Sequence, residues 1–436
     1  MHLVWENVIK TLVALWIGQY CDLGADAGRE DYVLAPETWK AIGQATANSG
    51  STIPSAYGPA PPNVESDKQA CTADSWSFWT LYIAPVVLRG QFRQEKYYKH
   101  FLKLVSILHI CLQFKVTRTQ VHEIRRGLAE WVQEYEQLYY QTACSRLSTC
   151  SLPIHGLLHV ADSIEAAGPV WASWVFPMEH YCGMLKPAIR SRHFPFATLA
   201  HYVLDTARLS QVKLIYNAGE ALSLRAPHKD SATVFPGYSM CALLPPFRRG
   251  EALESSLCDK IIAHLSTCFD IPARTARVML KLDQITEWGK LQILNGGDRI
   301  WTTSLGGVRA DLRNASFVRY ESLVDKFANQ RNRPSVFELR TFYGELQHLF
   351  SIKLQGPTVS ERPEMILLAG IRTCKLDNRA PPGGLDIHYY TTEGRYEVVD
   401  VNNVQCLVGR IRDREQWVIV DRSGSLARAL YVEDSE

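Results

Sequence analysis

"LPIHGLLHVADSIEAAGPVWASWVFPMEHYCGMLKPAIRSRHFPF" occupies residues 152–196 and gathers two histidines, a glutamate and a cationic cluster into one short span. Pro153 and the Gly168–Pro169 pair bracket one helix, and Pro177, a good first-turn residue, opens a second. Pro187 kinks or ends that second helix, because it removes a backbone donor and clashes with the preceding turn. His155 and His159 stand four residues apart and so share a helix face, a geometry that can bind zinc. Zinc would need a third and fourth ligand, and no HExxH carboxylate lies between them; helix histidines that only pack or hydrogen-bond are commoner. On the second helix Met178, Cys182 and Leu185 form the apolar side, while Glu179 shares the other side with Gly183 and Lys186. Arg190 and Arg192 follow beyond Pro187. A carboxylate beside a small residue, with cations downstream, suits a metal ligand next to a phosphate backbone. Pattern alone favours the plainer reading, a solvated Glu–Lys face.

Upstream, Val4, Val8, Leu12 and Trp16 recur at a spacing of four and predict one apolar helical stripe. Residues 49–63, "SGSTIPSAYGPAPPN", are dense in Pro, Gly and Ser and predict a loop. Ala73 to Tyr140 reads as helical throughout. Its clearest segment, 119–140, puts Val121, Ile124, Leu128, Trp131, Tyr135 and Leu138 on one face and Arg125, Arg126 and Glu130 on the other. Residues 226–250 read as an interdomain linker. Past Pro246 a helical pair around 251–283 leads to a turn, "NGGD" at 295–298, which lacks the GK[ST] of a phosphate loop. Short β-branched and aromatic runs then dominate, including "FVRYESLV", "EMILLAGIRTC" and "WVIVD", the signature of a small barrel or sandwich. "NQRNRP" at 329–334 is a short basic loop. The expected class is α+β: a mainly helical part over 1–225, the linker, a helical connector over 251–310 and a β module over 311–432.

Composition excludes some functions. Forty-seven basic against forty-five acidic residues give a net charge of +2, so nucleic-acid binding must come from a local patch. Eleven cysteines and an opening, "MHLVWENVIK", without an export signal point to reduced thiols in a nuclear or cytoplasmic protein that is not secreted. The longest apolar run, "FWTLYIAPVVL", is broken by Pro85 and falls short of the roughly 20 residues a membrane span needs, so no membrane partner is expected. No Ser–His–Asp or Cys–His nucleophile arrangement has supporting context.

The opening stretch, extended to "ATLAHYV", closely resembles the signature block of CACTA (EnSpm-type) transposases, which reads H-x3-H, GPV, an aromatic-Trp stretch, P-x-E-R, G-x-L-K and R-x-R. The match falls on His155, His159, Gly168, Pro169, Val170, Trp174, Pro177, Glu179, Gly183, Leu185, Lys186, Arg190 and Arg192. "MHLVWENVIKTLVALW" and "ACTADSWSFWTLYIAPVVL" are similar to two further stretches of these transposases. The strand-rich tail looks like the β module of copies in fungal genomes.

The resemblance implies a DDE enzyme on a ribonuclease-H-like fold, in which three acidic side chains hold two Mg²⁺ ions that activate water or a 3′-hydroxyl. Glu179 then stands for the third acid, after a helical insertion over most of residues 1–150. His180 departs from the family's arginine. The family's D-x-x-H pattern keeps only His2 here, so the first two aspartates are expected upstream of residue 1. The expectation is a truncated, catalytically incomplete transposase, with Mg²⁺ a cofactor of the intact ancestor and none for this chain. Lys186, Arg190, Arg192 and His193 would give weak, non-specific DNA binding, and other transposon-encoded proteins are further candidate partners. Helices meant for an absent sheet should leave the Val4, Val8, Leu12 and Trp16 face under-buried. The rival is a domesticated, non-catalytic DNA- or chromatin-binding remnant. A zinc-dependent hydrolase using His155 and His159 is a third reading.

Overall fold

A π-helical turn, His2–Val8, runs straight into α1 (Ile9–Trp16). The computed structural model of the chain describes residues 2–20, 23, 30–219, 221–222, 232–249, 253–294, 297–327, 333–334, 336–354, 365–377, 382–424 and 426, with only the backbone of His180 and Pro382. Most of the basic loop at 329–334, the start of the 295–298 turn and residues 226–231 and 250 of the expected linker lie outside these. The helical part continues with α2 (Pro36–Asn48), α3 (Ala73–Phe78), α4 (Ala84–Val87), α5 (Glu95–Cys111) and α6 (Arg118–Tyr135). Two of its starts are fixed by reciprocal caps: Thr72 with Ser75 on α3, and Thr117 with Gln120 on α6. The stretch from Leu152 to Ala167 forms α7 (Leu152–Gly156), a tighter turn at Leu157–His159 and α8 (Val160–Ala167). Gly168, at φ +86°, ends it in a conformation that side chains with a Cβ rarely adopt.

The α6 face is buried as its spacing predicts: Val121, Ile124, Leu128, Trp131 and Tyr135 are all inside. They meet Trp16, Phe101 and Tyr139, each fully buried. Each such side chain removed from water contributes about 1.5–3 kcal/mol. Two polar contacts fix the register of this aromatic core. Trp16 Nε1 donates to Tyr139 Oη at 3.0 Å, and Trp131 Nε1 donates to the His100 carbonyl at 3.0 Å while the two rings stack 4.4 Å apart. The expected under-burial of the first helix is therefore corrected. Val8, Leu12 and Trp16 are fully buried in a core they share with residues of α5 and α6.

The β part is one curled antiparallel sheet of ten strands, a half-barrel rather than a closed barrel or a sandwich. Its strands are β1 (Cys241–Arg249), β2 (Ile285–Ile293), β3 (Arg299–Trp301), β4 (Phe317–Asp325), β5 (Phe337–Lys353), β6 (Met365–Leu376), β7 (His388–Asp400), β8 (Val404–Leu407), β9 (Gly409–Asp413) and β10 (Gln416–Val420). The main path runs β1-β2-β5-β6-β7-β10-β9, with β3 on β2, and β4 on β5 and β8. Strand β1 falls inside the span read as a linker. Its Pro245 and Pro246 argue against a strand by sequence, but β1 ends the path and its ladder to β2 shifts register between Leu244 and Phe247. Helices α11 (Ser255–Phe269) and α12 (Ala273–Met279) cover one face of the sheet, packing Ile261, Leu265 and Met279 on Phe350, Ile352 and Leu368. Leu243, Leu291, Leu346, Leu367 and Leu407 fill the inside of the curl.

The Pro- and Gly-rich loop at 49–63 joins the two parts. Arg313 donates to three of its carbonyls, those of Ile53 (2.8 Å), Pro54 (2.9 Å) and Gly58 (2.7 Å). Tyr57, buried on the sheet side, points its Oη–H towards the carbonyls of Leu407 (2.9 Å) and Val420 (3.1 Å). The helical core accordingly continues into Leu385, Tyr389, Ile411, Val418 and Val420.

Arg313→Ala should cost about 3 kcal/mol, since hydrogen bonds from a charged donor contribute about 1.5–3 kcal/mol and three acceptors lose their partner. Urea unfolding followed by far-ultraviolet circular dichroism checks this, and Tyr57→Phe should cost less, about 1 kcal/mol. Burial lowers the pKa of His100 from 6.5 to about 4 in the folded state. The folded chain thus binds fewer protons than the unfolded chain between these values, so this stability is present above pH 6.5 and lost as pH falls towards 4. Unfolding free energy measured across that window should drop, and His100→Gln should flatten the drop.

Candidate functional site

Helix α9 (Phe176–Leu185) starts where Trp174 and Phe176, ring centroids 5.2 Å apart and perpendicular, anchor it to the helical core. Gly168 and Pro169 set the turn before it, and Pro177 occupies its first turn. Four of the signature residues are thus accounted for by chain direction and packing. Glu179 lies in the first turn, where a carboxylate is favoured by the helix dipole. Its side chain is about half exposed, and Oε1 sits 3.5 Å from Nε2 of His2, whose side chain is also largely exposed.

His155 and His159 do meet. Their Nε2 atoms are 3.2 Å apart, close to the roughly 3.3 Å between two nitrogens sharing a tetrahedral zinc. His159 Nδ1 lies 3.9 Å from Asp162, but that carboxylate is engaged by Arg125 at 2.7 Å, which holds its pKa below the usual carboxylate value. Among the described residues no group of three histidines, cysteines or carboxylates is placed to hold a metal ion. The donors around Glu179 do not fit a pair of Mg²⁺ ions either. Magnesium takes oxygen ligands in near-octahedral geometry, and the nearest partner of Glu179 is an imidazole.

Lys186, Arg190, Arg192 and His193 are all exposed, and none forms an ion pair with a described carboxylate. Lys186 lies two turns from Glu179, roughly 10 Å along the axis and on the same side. This cationic segment is set in an uncovered apolar surface. Met178 and Met184 of α9 are exposed, and α10 (Pro195–Ile215) buries none of its residues, leaving Phe196 85% and Leu214 82% exposed. Sequence spacing did not signal it, because α10 carries apolar residues around its whole circumference rather than on one stripe. No helix among the described residues is long and apolar enough to cross a membrane.

One constellation that sequence reading missed lies on the sheet. Glu287 of β2, its side chain 5% exposed, accepts from Arg248 (2.6 Å), Ser304 (2.7 Å) and His348 Nδ1 (2.8 Å). Its members come from four separate segments, so no local spacing could reveal it. Burial alone would raise the Glu287 pKa, but the hydrogen bonds from His348, Ser304 and Arg248 outweigh it and bring the value from 4.5 down to about 2. Ser304 bonds the carboxylate rather than the imidazole, so the group is not a nucleophile triad. Because the folded pKa is depressed, the stabilisation is present above pH 4.5 and lost as pH falls through about 2. Glu287→Gln should lower the urea midpoint at pH 5 and lessen its dependence on pH below 4.5; an unchanged acid profile would contradict this.

Compared with protein-family models, with curated proteins and with solved structures, the chain matches none of them.

Proposed function

We propose that this chain is a transposase-derived protein that holds duplex DNA without cutting it. The observation that carries the reading is the exposed cationic run Lys186, Arg190, Arg192 and His193, which follows α9 and forms no ion pair among the described residues. A phosphate backbone is held by such cations without sequence preference, and the counterions released make the binding salt-dependent. Glu179 marks where the resemblance expects catalysis, but one carboxylate cannot hold two ions roughly 3.5–4 Å apart. Its neighbour His2 adds a donor suited to phosphate rather than a ligand for magnesium. DNA is the partner of this reading, and a nuclear location would follow from it.

Two measurements test it. Residues 1–436 with Mg²⁺ or Mn²⁺ should neither nick nor join transposon-end DNA. Reproducible cleavage abolished by Glu179→Gln would overturn the non-cutting reading. In fluorescence anisotropy with random duplex DNA, the chain should bind weakly and lose affinity as salt rises, with a log–log slope of about 0.9 per phosphate contact. Replacing Lys186, Arg190 and Arg192 together with alanine should flatten that slope by roughly two to three units. No affinity at low salt, or an unchanged slope in the triple variant, sinks the proposal.

A further inference from the structure

Helix α10 (Pro195–Ile215) is 21 residues long, and not one of them is buried. Helices in proteins draw most of their stability from packing an apolar face, so a helix this apolar with none of its side chains covered lacks a partner. Apolar residues run all round it, but the charged ones do not. Phe196, Ala200, Val203, Ala207, Ser210 and Leu214 recur at alternating steps of four and three, which sets them in one seam of the coiled-coil kind. At about 100° per residue, His201, Asp205, Arg208 and Lys213 all project roughly 100° or more away from that seam. Its two ends are the most uncovered points of the helix, with Phe196 85% and Leu214 82% exposed.

The seam is complementary to itself. Laid antiparallel against a copy about a two-fold axis level with Asp205, it sets Phe196 against Leu214, Ala200 against Ser210 and Val203 against Ala207. Bulky side chains then close both ends and smaller ones meet between them. The residues flanking the seam agree with this register: Leu199 falls opposite Gln211 and Leu204 opposite Thr206. No charge is drawn into the contact, so none has to be desolvated there. A parallel pair lacks this match, because Ala200, Ala207 and Ser210 would each face its own copy and leave gaps between the larger residues.

We propose that α10 is the interface of a homodimer, in which two copies of the chain pair antiparallel through this seam. The contact is one helix from each copy, roughly 31 Å long, which lies at the low end of specific interfaces. The pair is therefore reversible, with dissociation in the micromolar range. Lys186, Arg190, Arg192 and His193 all precede α10, so the pairing stands whether or not they hold DNA.

Sedimentation equilibrium of the full chain tests this, over about 1 to 200 µM so as to bracket micromolar dissociation. The mean mass should rise with concentration from one chain towards two and go no further. Ala207→Glu puts a charge into the middle of the seam and should weaken association about tenfold or more. Val212→Glu adds the same charge on the opposite side of the helix and should leave association unchanged. Both positions are exposed, so neither variant disturbs a packed core. The double variant Val203→Lys, Ala207→Glu should recover part of the loss, because antiparallel pairing brings the new cation of each copy to the new anion of the other. Parallel pairing would set like charges together and weaken it further. A single chain at every concentration overturns the proposal and leaves some other molecule to cover α10. Growth beyond two chains overturns it too, as does association that Ala207→Glu leaves intact or that Val212→Glu weakens equally. A double variant weaker than Ala207→Glu alone overturns the antiparallel register.

Discussion

The guanidinium of Arg313, spread over the carbonyls of Ile53, Pro54 and Gly58, is the contact on which the arrangement of the two parts depends. A loop of prolines and glycines offers carbonyls in abundance but few donors, so it cannot satisfy itself. One planar cation with several fixed N–H groups resolves that deficit at three positions at once. With the loop held, Tyr57 is carried into burial against β8 and β10, and the helical core becomes continuous with the sheet. The same seam leaves a cavity whose lining includes His109 of α5 and Arg319 of β4.

Much of the helical part is legible in the sequence because its information is local. The α6 face follows from a repeat near 3.6 residues, and its start from Thr117 and Gln120, whose side chains act within one turn. The strand-rich tail is legible for the same reason, but its closure is not. Whether strands curl into a half-barrel depends on β4 pairing with β8, with partners 84 to 89 residues apart in the chain, and no periodicity reports such a pairing. Strand β1 is hidden by Pro245 and Pro246, which are tolerable only at a sheet edge, a place that is known once the other strands are. The irregularity of the loop at 49–63 is plain from its composition, yet its role as the joint depends on Arg313, some 250 residues downstream.

At the candidate site the division is similar. Spacing alone puts His155 beside His159, and their Nε2 atoms are 3.2 Å apart. The approach of His2 to Glu179 is a tertiary event that no spacing announces. The resemblance places the uncovered apolar surface on the first helix, whereas Val8, Leu12 and Trp16 are inside and the uncovered surface lies on α9 and α10. The physical reason is that α1 has a single apolar stripe with partners on both sides. Helix α10 has apolar residues all round, and a helix of that kind needs neighbours on every side to bury them.

The juxtaposition of cations, a lone carboxylate and exposed apolar side chains constrains what this surface does. For phosphate attack, the carboxylate would need other oxygen ligands close by to gather metal ions, and a half-exposed glutamate facing an imidazole at 3.5 Å does not supply them. For phosphate binding, the same surface needs no metal. Lys186, Arg190 and Arg192 then act as point charges on a backbone, and Glu179 opposes them only weakly, since exposed charges about 10 Å apart are largely screened at physiological salt. On the proposed reading, a protein of near-neutral net charge holds DNA at this one face while the rest of its surface contributes little. On the proposed reading binding and cutting make separable demands, and the cations that follow α9 serve the first while Glu179 alone does not meet the second.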